Sequence, residues 1–251
     1  MSELAGKTAL ITGSGSLGGL GADTALLFAQ EGAEVLVSGR HAERGQRVVD
    51  AILHAGGKAR FLLADLTNLD DVARLAEEAG EVDVLVNNAA AVNLGSTLKL
   101  TAEDFSLIYD TIVRAPFFLV QELAPGMIAR RSGSIVNVSS AAATVALLPG
   151  GSLYGSAKAA LESLTRYWAA EFAESNVRAN AVSVGPTSTD NVLATMKSLG
   201  PGVVEGMAAS VPLGRWASPR EISQVILFLA GERASFATGG VFAADGGKVA
   251  V

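Results

Sequence analysis

The sequence predicts a single α/β domain (Rossmann fold), a doubly wound and mostly parallel seven-stranded sheet with helices on both faces. Three observations carry that expectation. Short apolar runs of strand type alternate with longer amphipathic runs along the chain, and a glycine-rich turn joins the first strand to the first helix. The 251 residues, 49% of them hydrophobic, supply one sizeable core, and no repeat, linker or low-complexity tract divides it. Residues 1–251 are therefore expected to form a single domain.

Composition narrows the function. Nineteen basic against twenty-five acidic residues leave a net charge of −6, which disfavours a nucleic-acid or anionic-membrane surface. Without cysteine there is no disulfide, thiol nucleophile or thiolate metal site, and no bound metal is expected. His41 and His54 both fall in a polar helical region, so a serine-histidine triad has little support. The N-terminal segment is not of signal-peptide type, and no uninterrupted apolar run reaches the ~18 residues of a membrane span. A cytoplasmic protein is expected.

The elements follow in order. Lys7 to Thr12 reads as a buried strand, Gly13 to Gly21 as the glycine-rich turn, and Ala22 to Gln30 as a helix. Small residues in such a turn let backbone approach a pyrophosphate, and the helix N-terminus offers free N–H groups and a positive dipole end. Gly13, Gly19, Leu20 and Gly21, placed by their resemblance to the glycine turn of the short-chain dehydrogenase/reductase family, are the candidates there, with the Ser14 and Ser16 hydroxyls as additional donors. Glu34 to Ser38 is the second strand. An acid at its end would favour a ribose 2′-hydroxyl, but Arg40 stands beside that vacant place and suits a 2′-phosphate, so NADP(H) is expected over NAD(H). The competing reading pairs Arg40 with Glu43 or Asp50. A polar helix over about 41–56, a strand Ala59 to Ala64, a helix over about 69–79 and a strand Val82 to Val86 come next.

Thr101-Ala-Glu-Asp104 opens a long helix reaching about Met127 with a capping-box pattern. Gly133 to Ser140 is a strand, followed by a loop at 141–153 and a helix that carries Tyr154 and Lys158 four residues apart, on one face. A nearby ammonium favours phenolate and lowers the phenol pKa toward the range of general acid-base catalysis, while Ser140 is placed to hydrogen-bond a substrate oxygen. Asn176 to Ser183 is a strand. The glycine-rich segment 190–217 suits a mobile lid, within a wider span of about 187–217. Its Val192, Leu193, Met196, Val203, Val204 and Met207 either line the substrate site or pack the lid on the body. Ser218-Pro219-Arg220-Glu221 caps the last helix, and Gly239 to Gly247 holds the final strand and turn.

Ser140 with Tyr154-Gly-Ser-Ala-Lys158 resembles the Ser…YxxxK signature of the short-chain dehydrogenase/reductase family, and the likeness covers nearly the whole chain. It implies reversible hydride transfer between NADP(H) and a small-molecule carbonyl or secondary alcohol. Tyr154 would move the proton, Lys158 would tune it and contact the nicotinamide ribose, and Ser140 would orient the substrate oxygen. Asp65-Leu66 resembles the family's adenine contact, with a turn-forming Asp65 as the alternative. Asn87-Asn88-Ala89-Ala90 resembles NNAG, with alanine for the last glycine and with Asn88 near the cofactor. Val184 to Thr189 resembles PGxxxT, so Thr187 and Thr189 would hold the nicotinamide carboxamide unless they simply form a turn.

Two departures from the family pattern stand out. The glycine turn is two residues longer than TGxxxGxG, and Ile112 stands where most members have a proton-relay asparagine. The resemblance further implies a homo-oligomer, tetramer or dimer. Two other functions fit the same residues: a nucleotide-binding sensor or scaffold that has lost turnover, and a lyase or epimerase with no net cofactor consumption.

Overall fold

The computed structural model describes residues 2–147 and 150–250. Its strands are β1 (Thr8–Ile11), β2 (Glu34–Gly39), β3 (Lys58–Leu63), β4 (Val84–Asn87), β5 (Gly133–Ser140), β6 (Val177–Val184) and β7 (Val241–Ala244). They form one sheet in the order β3-β2-β1-β4-β5-β6-β7. Every pairing is parallel, so the sheet is more uniform than expected.

A parallel sheet must be covered on both faces, and side chains alternate accordingly along each strand. Leu10, Leu36, Leu85 and Ile135 point to the face covered by α3 (Leu69–Ala79), α4 (Ala102–Tyr109), α5 (Ala115–Arg130) and α6 (Ser152–Phe172). Val35, Val37, Val86 and Val136 point to the face covered by α1 (Leu20–Gln30), α2 (Ala42–His54) and α9 (Pro219–Ala230). The segment expected to act as a lid folds into α7 (Asp190–Ser198) and α8 (Val203–Ala209).

Both predicted capping boxes form, Thr101 with Asp104 and Ser218 with Glu221. The helix expected to run unbroken over 101–127 is interrupted by a π-helical turn, Asp110–Arg114. Its cause is local. Pro116 has no N–H to give, and the Ala115 N–H bonds the Asp110 carbonyl five residues back. The Thr111 carbonyl is left without an α- or π-type helical donor.

The chain winds outward from β1 in both directions, to β2 and to β4, and this reversal opens a crevice at the C-terminal strand ends. Those ends deliver Gly13, Arg40, Asp65, Asn88, Ser140 and Gly185 to one rim.

Candidate active site

A cavity of about 1030 Å³ runs along that rim. Gly13, Gly19, Leu20, Gly21, Arg40, Asp65, Leu66, Asn88, Ser140, Tyr154, Lys158, Thr187 and Thr189 all line it. Of the residues expected at the site, Ser14 and Ser16 are the exceptions, and Ser14 shows why. It is fully buried, its hydroxyl donates to the Ile11 carbonyl at 2.7 Å and accepts from the Ser38 N–H at 3.1 Å, and it therefore ties β1 to β2 instead of meeting phosphate.

The glycine turn fits a close-lying pyrophosphate. A Cβ at Gly13, whose φ is +64°, would lie 2.7 Å from the Ala89 Cα, and one at Gly21 would lie 2.6 Å from the Gly13 carbonyl. Gly19 caps α1 without any side-chain hydrogen bond, leaving the first N–H groups of the helix at the cavity wall. Asn88 braces this turn, its Nδ2 donating to the carbonyls of Thr12 at 2.8 Å and Gly13 at 3.2 Å. Ala90 adopts no left-handed backbone, so the alanine in place of glycine is accommodated. The two extra residues have a structural use. They carry the turn to the lid, where the Asp190 N–H donates to the Gly18 carbonyl at 3.2 Å. Any side chain on Gly18, at φ +77°, would run into the Asp190 carboxylate.

Arg40 is exposed on the cavity rim. Of its two expected acidic partners, Asp50 instead accepts from Gln46 Nε2 at 2.9 Å. Asp65 forms the turn that was its alternative reading, Oδ1 accepting from the Thr67 N–H at 3.0 Å and the Thr67 hydroxyl at 2.9 Å. Thr189 caps α7, its hydroxyl oxygen accepting from the Val192 N–H at 3.4 Å, which leaves the hydroxyl proton free to donate. The Thr187 hydroxyl donates to the Gly185 carbonyl at 3.0 Å.

At the other end, Ser140 closes β5 and Tyr154 and Lys158 project from the first turns of α6. The Lys158 ammonium lies 5.7 Å from the centre of the Tyr154 ring and donates to the Val138 carbonyl at 2.5 Å. The electrostatics depart from expectation. Burial pushes the Tyr154 phenol up, and the Ser140 hydroxyl offsets this only in part. Burial also pushes Lys158 down to about 8, with the Glu162 carboxylate acting in the opposite direction. Desolvation outweighs the expected ammonium-to-phenol effect because Lys158 is fully buried and the half-buried Tyr154 holds its hydroxyl against the cavity wall. Glu162, buried one turn beyond Lys158, accepts from the Ser139 hydroxyl at 2.6 Å.

Ile112 is fully buried among core residues and offers no hydrogen bond to the site. Thr111 lines the cavity in its stead, with its hydroxyl donating to the Leu107 carbonyl at 2.7 Å. An unbroken helix would place Thr111 about 100° around from Ile112 and off the site face, and the π turn Asp110–Arg114 changes that face. Trp216 was missed. It lines the cavity while its Nε1 donates to the Val204 carbonyl at 3.0 Å, and its position at the close of the lid segment was the available signal. Of the six apolar lid residues, Val192, Met196 and Met207 reach the cavity, whereas Leu193, Val203 and Val204 do not line it. Among the described residues, no cluster of three or more His, Cys, Asp or Glu side chains is placed to hold a metal.

A doubly wound parallel sheet with a glycine turn at its switch point, and a Ser-Tyr-Lys group further along the same rim, defines the class of pyridine-nucleotide oxidoreductases. The chain belongs to the short-chain dehydrogenase/reductase family. The family model described as enoyl-(acyl carrier protein) reductase matches residues 13–248. The 3-oxoacyl-acyl-carrier-protein reductase of Thermotoga maritima is 36% identical over 251 residues, covering 98% of this chain and 99% of its own. A solved short-chain dehydrogenase/reductase family protein is 49% identical with a TM-score of 0.91, covering 99% of this chain and 100% of its own. L-sorbose reductase from Gluconobacter frateurii, solved with NADPH and L-sorbose, is 29% identical with a TM-score of 0.94 and full coverage of both chains.

Proposed function

We propose that the protein catalyses reversible reduction of a ketone to a secondary alcohol with NADP(H), using Ser140, Tyr154 and Lys158. The observation that carries this reading is their convergence in one cavity with the glycine turn and Arg40. The dinucleotide supplies or accepts the hydride. Ser140 donates a hydrogen bond to the carbonyl oxygen, and Tyr154 passes that oxygen its proton. Lys158, with its pKa near 8, is charged at neutral pH and steadies the phenolate left behind.

Arg40 receives the 2′-phosphate, Asp65 and Leu66 border the adenine, Asn88 holds the backbone near the cofactor, and Thr187 and Thr189 receive the carboxamide. Segment 187–217 closes over the substrate. The Thr111 carbonyl, lacking a helical donor, supplies the backbone site for water that Ile112 cannot provide. Exposed Phe105, Phe117 and Tyr167 on α4, α5 and α6 support a homo-oligomer.

NADPH oxidation with a panel of ketones tests the proposal. Turnover that disappears in Tyr154→Phe while NADPH binding persists is the expected result, and binding without turnover in the unaltered protein would refute it. That second outcome supports the sensor reading, which the buried Ile112 favours.

A further inference from the structure

We infer, building on the reductase reading, that the substrate is an uncharged ketone with an apolar body, and that sugar acids and polyols are excluded. Charge placement leads the argument. Among the described residues, the cavity is lined by three charged side chains, Arg40, Asp65 and Lys158. Arg40 and Asp65 follow β2 and β3, whereas Ser140 ends β5, three and four strands away in the sheet order. At ~4.8 Å per strand this puts the first two roughly 14 and 19 Å from the reacting carbon. Lys158 is fully buried beside Tyr154 and already donates to the Val138 carbonyl. No cation remains at the reacting end for a substrate carboxylate, and a carboxylate stripped of water without a partner is strongly disfavoured.

Several hydroxyl groups at that end are also engaged, although Thr189 keeps a proton to donate. Thr111 donates to the Leu107 carbonyl, Ser156 to Leu153 and Thr195 to Asn191, while Ser152 and Thr97 share a hydrogen bond at 3.1 Å. A polyol gives up several hydrogen bonds to water on entry, and this wall returns few of them. What the wall does present is apolar: Val92, Leu94, Val145, Met196, Met207 and Trp216. This selectivity differs from that of the structurally similar L-sorbose reductase, so shared fold and specificity part company here.

A matched pair of ligands tests the inference. Ethyl 3-oxohexanoate and the 3-oxohexanoate anion present the same ketone with and without charge, and L-sorbose represents the polyols. With NADPH, kcat/KM for the ester should exceed that for the anion and for sorbose by at least roughly 100-fold. Met207→Arg, on the half-buried lid face, should raise use of the anion at least about tenfold and lower that of the ester. Comparable kcat/KM values for anion and ester, or efficient reduction of sorbose, would overturn it.

Binding is read separately through Trp216 fluorescence, assigned by its loss in Trp216→Phe. Ethyl 3-hydroxyhexanoate should bind at least about 100-fold tighter than 3-hydroxyhexanoate, and equal affinities overturn the inference whether or not turnover occurs. Preferential ester binding in a protein that reduces none of the ketones would instead count against the reductase reading alone.

Discussion

Replacing Lys158 with methionine should stabilise the protein at neutral pH while ending catalysis. The lysine is fully buried, and burial lowers its pKa from the ordinary 10.5 to about 8. Below pH 8 the ammonium is present in both folded and unfolded chains, so folding carries the whole desolvation penalty. Between 8 and 10.5 the folded protein has released the proton and the unfolded chain still holds it, so stability rises with pH. Above 10.5 both are neutral and the penalty is gone. Integrating the difference in bound protons from pH 7 to 10 gives a gain of about 2.5 kcal/mol attributable to this one side chain. Methionine has similar length and no charge, so the variant lacks that slope. Urea denaturation of both proteins at half-unit intervals from pH 7 to 10 measures it, the difference between the two curves cancelling every titration they share. Parallel curves would refute the reasoning, since they would mean that the ammonium is hydrated in the folded protein.

The remaining predictions concern its surroundings. Glu162→Gln removes the carboxylate that raises the Lys158 pKa, so that pKa should fall below about 8 and the alkaline limb of the kcat/KM profile should move to lower pH; an unmoved limb contradicts this. Arg40→Asp should weaken NADPH relative to NADH by roughly 10- to 100-fold, the equivalent of one charge-assisted contact, as read from the KM ratio; an unchanged ratio removes Arg40 from the 2′-phosphate site. Gly18→Ala forces a side chain into left-handed backbone against Asp190, which should cost about 1–2 kcal/mol and raise the KM for NADPH; an unaltered melting temperature and KM would show that turn and lid move independently. Ile112→Asn buries an amide among core residues and should lower stability by about 2–3 kcal/mol, so any gain in turnover must be measured per folded molecule at low temperature.

The parts of this architecture that depend on local chemistry were readable from residues alone. Thr101 with Asp104 and Ser218 with Glu221 form their capping boxes because each needs only a hydroxyl and an acid three residues apart. The strand ends and the Tyr154–Lys158 face follow from periods of 2 and 3.6. What escaped depends on contacts distant in sequence or on a change of period. Ser14 and Ser16 look alike in a string of letters, yet the proximity of the Ser38 N–H draws Ser14 into the interior. The π turn before Pro116 leaves the apolar pattern looking continuous while rotating Thr111 onto the cavity. The Tyr154–Lys158 spacing pointed to a lowered phenol pKa, but its direction depends on how much protein encloses it, and burial raises it.

The hydrogen bond between the Gly18 carbonyl and the Asp190 N–H makes the seat of one ligand part of the seat of the other. That single backbone contact is where the phosphate-facing turn and the start of α7 meet.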